Sequence, residues 1–189
     1  MTDSKRRIVV GVSGATGIVY AVQLLRRLRQ VGVESHLVVS KAGDLTRTYE
    51  TTLSMDELRG LADTNYRVGD VSAPISSGSF KTMGMILAPC SMRTLAEVAM
   101  GMSSTLLTRA ADVTLKERRR LVLLPRETPL NAAHLRNMLT ITEMGGIIMP
   151  PVPAFYLKPA TIDELVDHTV CRALDLFGID VPDAKRWGE

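Results

Sequence analysis

The sequence predicts an α/β protein built on a parallel sheet that is covered on both faces. Short apolar runs recur along the chain, and they are unbroken rather than alternating, as in strands buried on both sides. Stretches with helical spacing fall between many of them, which is the pattern of strand–helix–strand units. The 189 residues, 46% of them hydrophobic, suit one domain, residues 1–189, with a substantial core.

The elements follow in order. Residues 8–10 form a first strand, closed by Gly11. Ile18, Ala21, Leu25 and Leu28 recur at helical spacing, so a helix covers roughly 15–31 and stops at Gly32. Residues 36–39 are strand two. Ser54 and Glu57 have the spacing of a capping box and open a short helix. A short third strand is expected over 66–68 and a fourth over 85–88. Helices over about 91–100 and 105–117 precede a fifth strand at 121–124. A helix over 130–144 ends at Gly145-Gly146, and residues 147–149 are strand six. After a proline-rich connection, Thr161 and Glu164 repeat the capping-box spacing and open a last helix to about Phe177.

In sheets of this kind ligands bind beyond the carboxyl ends of the strands. Gly11-Val-Ser-Gly-Ala-Thr-Gly17 follows strand one and opens a helix, where glycines allow close backbone approach and free N–H groups attract anions. It is neither a full G-x-G-x-x-G nor a Walker A motif. Ser40 ends strand two and, taken alone, reads as a loop serine. Ser91 after strand four is a plausible N-cap. The neighbouring Cys90 has no histidine at an obvious partner position, so a buried structural thiol is favoured over a nucleophile. Arg126 and Glu127 come directly after the apolar run 121–125. Arg126 suits bidentate anion recognition inside the expected cleft, and Arg109, Lys116 and Arg172 can converge on the same anion. Glu127 has two open readings, a cap for the helix near Leu130 or a general acid or base.

Composition narrows the function. The net charge is +3, mixed along the chain, without a basic tail or an aromatic-interleaved stripe, which argues against nucleic acid. The two cysteines are far apart and lack zinc spacing. The N-terminal apolar run is too short for a signal or membrane segment. A cytoplasmic protein without membrane contact is the expectation.

Taken together, SGATG, SKA followed by Tyr49-Glu50-Thr51, ISSGSF, APCSMRTLA, TRAADVTLKERR, PRETPLNAAHLRNM, MPPVPAFY and KRW closely resemble the UbiX family of flavin prenyltransferases. The resemblance runs from Ile8 to Trp187. It implies a three-layer Rossmann-like flavoprotein fold of about six strands in the order 3-2-1-4-5-6. It also implies transfer of a dimethylallyl group from dimethylallyl phosphate to N5 and C6 of reduced FMN. The product, prenylated FMN, serves a UbiD-type decarboxylase. Homododecamers with sites between subunits and no metal are implied as well.

By motif, Gly14, Ala15, Thr16, Ser40, Ser91, Met92, Arg93, Thr94 and Arg126 would hold FMN. Tyr156, Arg172, Arg109 and Lys116 would hold the prenyl phosphate. Glu127 would be the acid/base, with Glu50 and Lys116 in the catalytic set. Trp187, in a closing segment 178–189, would shut the site. Two other readings stand beside this one: a flavin-dependent decarboxylase acting directly on an aromatic acid or a peptidyl cysteine, and a flavin-binding regulatory or storage protein.

Overall fold

The computed structural model describes residues 6–186 and 188. Six strands, β1 (Arg7–Val12), β2 (Glu34–Val39), β3 (Thr64–Tyr66), β4 (Gly84–Cys90), β5 (Arg120–Pro125) and β6 (Ile147–Ile148), form one sheet. The order is β3-β2-β1-β4-β5-β6, as expected, and every pairing is parallel. The chain therefore steps outward in one direction from β1 and in the other from β4. The crevice lies where these two central strands end.

Seven α-helices lie among the described residues: α1 (Ile18–Gln30), α2 (Lys41–Glu50), α3 (Met55–Gly60), α4 (Met92–Ala99), α5 (Leu106–Lys116), α6 (Ala132–Glu143) and α7 (Ile162–Asp175). Successive strand residues feed opposite layers, because side chains alternate across a sheet. Val10, Val122 and Leu124 join Leu24, Leu25, Leu28, Val170 and Leu174 on the α1 and α7 side. Val9, Leu121 and Leu123 join Leu95, Leu106, Leu107 and Ile141 on the α4, α5 and α6 side. All seven residues of β4 are buried, the condition of a central strand. Beyond α7 the chain returns to the first layer through Ile179 and Val181, both buried. Arg186 ties this return to Asp175 and Asp180.

Two local expectations need correction. Ser40 is not a loop serine: its Oγ accepts from the Gly43 amide at 2.9 Å and caps α2, a helix that the apolar pattern does not reveal. Only Gly43 of α2 is buried, so no apolar stripe marks it. The capping box at Thr161 is only half formed. Thr161 accepts from the Glu164 amide, while the Glu164 carboxylate faces the Ala160 amide and Lys185. At Ser54 both halves are present, at 2.7 and 3.1 Å. No helix among the described residues is long and apolar enough to cross a membrane.

The fold buries one histidine. His36 is 3% exposed, hydrogen-bonded to Tyr66 and Glu34, and stacked on the Tyr66 ring. Phe80 meets it edge-on. Burial lowers its pKa below the ordinary value, partly opposed by Glu34. Burial lowers His168 as well, with Arg172 adding to the effect. A histidine with a depressed folded pKa binds its proton more readily in the unfolded chain, so protonation favours unfolding. Stability is complete above about pH 6.5 and declines as the pH falls below it. Denaturant midpoints are expected to drop between pH 7.5 and 5.5, and to drop less in His36→Phe. An unchanged slope in that variant would remove His36 as a source.

Candidate functional site

The ends of β1 and β4 are held together by Ser13. This serine is 1% exposed. Its Oγ donates to the Pro89 carbonyl at 3.1 Å and accepts from the Ser91 amide at 2.7 Å. The Arg126 amide donates to the Cys90 carbonyl at 3.2 Å, which brings the end of β5 to the same place. The position that departs from the glycine fingerprint thus has its own structural task.

Gly14 follows and packs against the start of α2. A Cβ added there would fall 2.4 Å from the Cβ of Ala42. Ser40 and Ser91 cap α2 and α4, so two helix N-termini face the crevice.

Around these loops lies a hollow of about 390 Å³, lined by Gly14, Ala15, Thr16, Thr46, Tyr49, Glu50, Ser91, Met92, Arg126 and Glu127. A second hollow of about 400 Å³ shares Gly14 and Ser91 with it and reaches Ser40, Lys41, Arg93, Thr94 and Thr108. All nine residues expected to hold a flavin line one of these two spaces. Arg126 and Glu127 both reach the hollow without pairing with each other; no ion pair joins them among the described residues. Among the described residues Glu127 Oε1 accepts only a local bond, from the Thr128 amide at 3.0 Å. The cap of α6 is Asn131, whose Oδ1 accepts from the His134 amide at 3.0 Å. The cap reading of Glu127 is therefore removed.

Glu50 also lines the hollow, with both oxygens turned to the start of α1. Its Oε2 accepts from the Gly17 and Ile18 amides, each at 2.9 Å.

The residues expected to hold a prenyl phosphate are dispersed in the single chain. Arg109 donates to the Ser76 carbonyl and pairs with Asp112. Lys116 pairs with Glu117 at 2.6 Å. Arg172 pairs with Asp175 at 2.7 Å, and the Tyr156 hydroxyl lies 3.4 Å from His168 Nε2. None of the four lines either hollow. Trp187 lies outside the described residues. Cys90 and Cys171 are free and buried. Burial pushes the Cys90 thiol far above its ordinary range and the Cys171 thiol up to about 12, with Asp167 adding to the latter shift, so neither is a nucleophile. Among the described residues no cluster of three His, Cys, Asp or Glu could hold a metal.

Thr46 and Tyr49 are lining residues to which the sequence pattern assigns no role. They face the hollow because α2 is helical, and the only local signal for α2 is Ser40 three positions before Gly43, with Asp44 in the first turn.

A parallel sheet whose switch point is lined by helix N-termini, small residues and an arginine belongs to the nucleotide-binding α/β proteins. The Flavoprotein family model matches residues 1–174. The chain is 58% identical over 182 residues to the flavin prenyltransferase UbiX of Neisseria meningitidis serogroup B, covering 96% of each chain. The chain belongs to the flavoprotein family, and within it to the UbiX flavin prenyltransferases. The crystal structure of AnUbiX (PadA1) in complex with FMN and dimethylallyl pyrophosphate superposes with a TM-score of 0.96 at 51% identity, covering 98% of both chains. A dodecameric FMN-dependent UbiX-like decarboxylase from Escherichia coli O157:H7 does so at 0.94, with 49% identity over 97% of this chain and all of the other.

The contact between Gly14 and α2 gives a direct test. Gly14→Ala is expected to cost about 1–3 kcal/mol, as overpacking does. In a double-mutant cycle with Ala42→Gly, denaturation midpoints are expected to show coupling of about 1 kcal/mol. Additive effects would mean that the two positions do not press on each other.

Proposed function

We propose that this chain is a flavin prenyltransferase. It joins a dimethylallyl group from dimethylallyl phosphate to N5 and C6 of reduced FMN and makes prenylated FMN for a UbiD-type decarboxylase. The observation that carries the proposal is the hollow itself. It joins the N-terminus of α4, one arginine and a lightly tied carboxylate at the end of the central strands. The relatives named above add the flavin and the prenyl donor.

FMN is here a substrate, and the residues fit it. Gly14, Ala15 and Thr16 let its ring system approach the backbone. Ser40, Ser91, Met92, Arg93 and Thr94 lie at the two capped N-termini, which favour a phosphate. Arg126 adds a fixed positive charge. Breaking the C–O bond of the donor leaves negative charge on phosphate and positive charge on the allyl fragment. Arg109, Lys116, Arg172 and Tyr156 would stabilise the first. Neighbouring copies in a homododecamer would bring these dispersed groups to the hollow, and the segment 178–189 with Trp187 would close it. Glu127 has room to move a proton, either to the departing phosphate or from C6 during ring closure. A site closed against water protects the allyl cation. The cytoplasm is the proposed location.

With reduced FMN and dimethylallyl phosphate, the protein is expected to release inorganic phosphate and form a new flavin species. A decarboxylase in its own right would instead release CO2 without a partner, and a storage protein would bind FMN without turnover. Glu127→Gln is expected to retain FMN and lose activity by about 10²- to 10⁴-fold, the usual weight of a proton-transfer group. Full activity in that variant would remove the role assigned to Glu127.

A further inference from the structure

Six of the seven α-helices among the described residues carry a local Ser, Thr or Asn cap: Ser40, Ser54, Ser91, Thr105, Asn131 and Thr161. Helix α1 does not. Its N-cap is Gly17, with φ 116°, which has no side chain to offer, and its first turn contains no acidic residue. This is the helix that opens after the first strand, the end on which nucleotide-binding sheets rest a phosphate. Here that end is filled from within the protein. Glu50, 33 positions after Gly17 and on the last turn of α2, places its carboxylate against it. Oε1 accepts from the Gly17 amide at 3.2 Å, and Oε2 accepts from the Gly17 and Ile18 amides at 2.9 Å.

We infer that Glu50 is a positioning residue that acts as the built-in anion of α1. It occupies the seat a ligand phosphate would take and turns that phosphate toward the N-termini of α2 and α4. Three features support this. Two amides that a ligand would need are already engaged. The negative charge complements the positive end of the α1 dipole. The carboxylate also fixes the last turn of α2, which carries Thr46 and Tyr49 into the hollow, to the loop carrying Ala15 and Thr16. Of the two carboxylates in the hollow, Glu50 is engaged by three backbone contacts, and Glu127 is left to move a proton. The inference rests on the proposed reading of the hollow, but its test reads stability against anions and is independent of turnover.

The test melts the wild-type protein, Glu50→Ala and Glu50→Gln in chloride, formate and inorganic phosphate at equal ionic strength. Glu50→Ala is expected to lose roughly 2–6 °C in chloride, as loss of a helix cap does. Formate should restore most of that loss in a saturable way and leave the wild type unmoved relative to chloride, while phosphate, which also has a seat at α2 and α4 in the wild type, should raise the melting temperature of Glu50→Ala by more than that of the wild type. Glu50→Gln, which fills the seat without the charge, should melt between the two and respond little to formate. Should Glu50→Ala not fold in chloride, refolding in formate is expected to recover it. A Glu50→Ala protein as stable as wild type, a loss that neither anion restores, or a Glu50→Gln protein indistinguishable from wild type would each overturn the inference.

Discussion

The hydroxyl of Ser13, buried between the ends of β1 and β4, donates to the Pro89 carbonyl and accepts from the Ser91 amide. The stretches after β1 and β4 that line the hollow, Gly14 to Thr16 and Ser91 to Met92, sit on the two loops that this hydroxyl joins. A parallel sheet has its carbonyl-bearing strand ends on one side, and both of its faces are closed by helices. The side chains of β1, β4 and β5 are spent on the two core layers. The loops at the strand ends are what is left for chemistry. Loops are mobile unless something ties them, and here two central strands are tied across the switch point by one buried group with a partner on each side.

From that tie the rest follows in order. With the Ser91 amide held, Ser91 is free to cap α4 through its Oγ, which accepts from the Thr94 amide at 3.2 Å. With Gly14 in place, α2 can start within contact of the loop, since only a residue without a side chain leaves room for Ala42. The end of α2 then brings Glu50 to the start of α1, and the first loop is held at both of its ends. Each of these interactions is worth on the order of 1–3 kcal/mol alone. Their combined effect is geometric: they set where small residues, helix ends and charges face one another.

The legible parts of the sequence were those governed by burial. The strands announced themselves because a strand covered on both faces must be apolar where it is buried, as β4 is throughout and β5 is from Leu121 to Pro125. Helices with one apolar face, such as α1, were equally plain. Helix α2 was not, since it lies at the crevice with one buried residue and has no stripe to display. Its cap at Ser40 was visible as a serine but not as a cap. Long-range polar contacts were the least legible. Nothing within a few residues of Gly17 indicates that Glu50 will close the helix, because the partner is set by the path of α2 in space. The dispersal of Arg109, Lys116, Arg172 and Tyr156 has the same origin: chain order says which residues exist, and the faces on which they sit decide where they meet.

The charged pair at the end of β5 shows how the two levels combine. An arginine and a glutamate directly after five buried residues look misplaced when read as an ion pair at the edge of a core. They are not paired with each other among the described residues, and the helix that Glu127 might have capped is closed by Asn131. Removing both bland roles leaves two exposed charges of opposite sign, both lining one hollow and both set there by a strand that is buried to its last residue. A rigid strand aims its end better than a loop can, and a carboxylate with one weak local tie keeps the freedom that proton transfer needs. Glu50, in the same hollow, has the opposite condition, with three contacts to backbone amides and no slack. The division of labour proposed for the two carboxylates follows from what each is bonded to, a difference their shared side-chain type does not display.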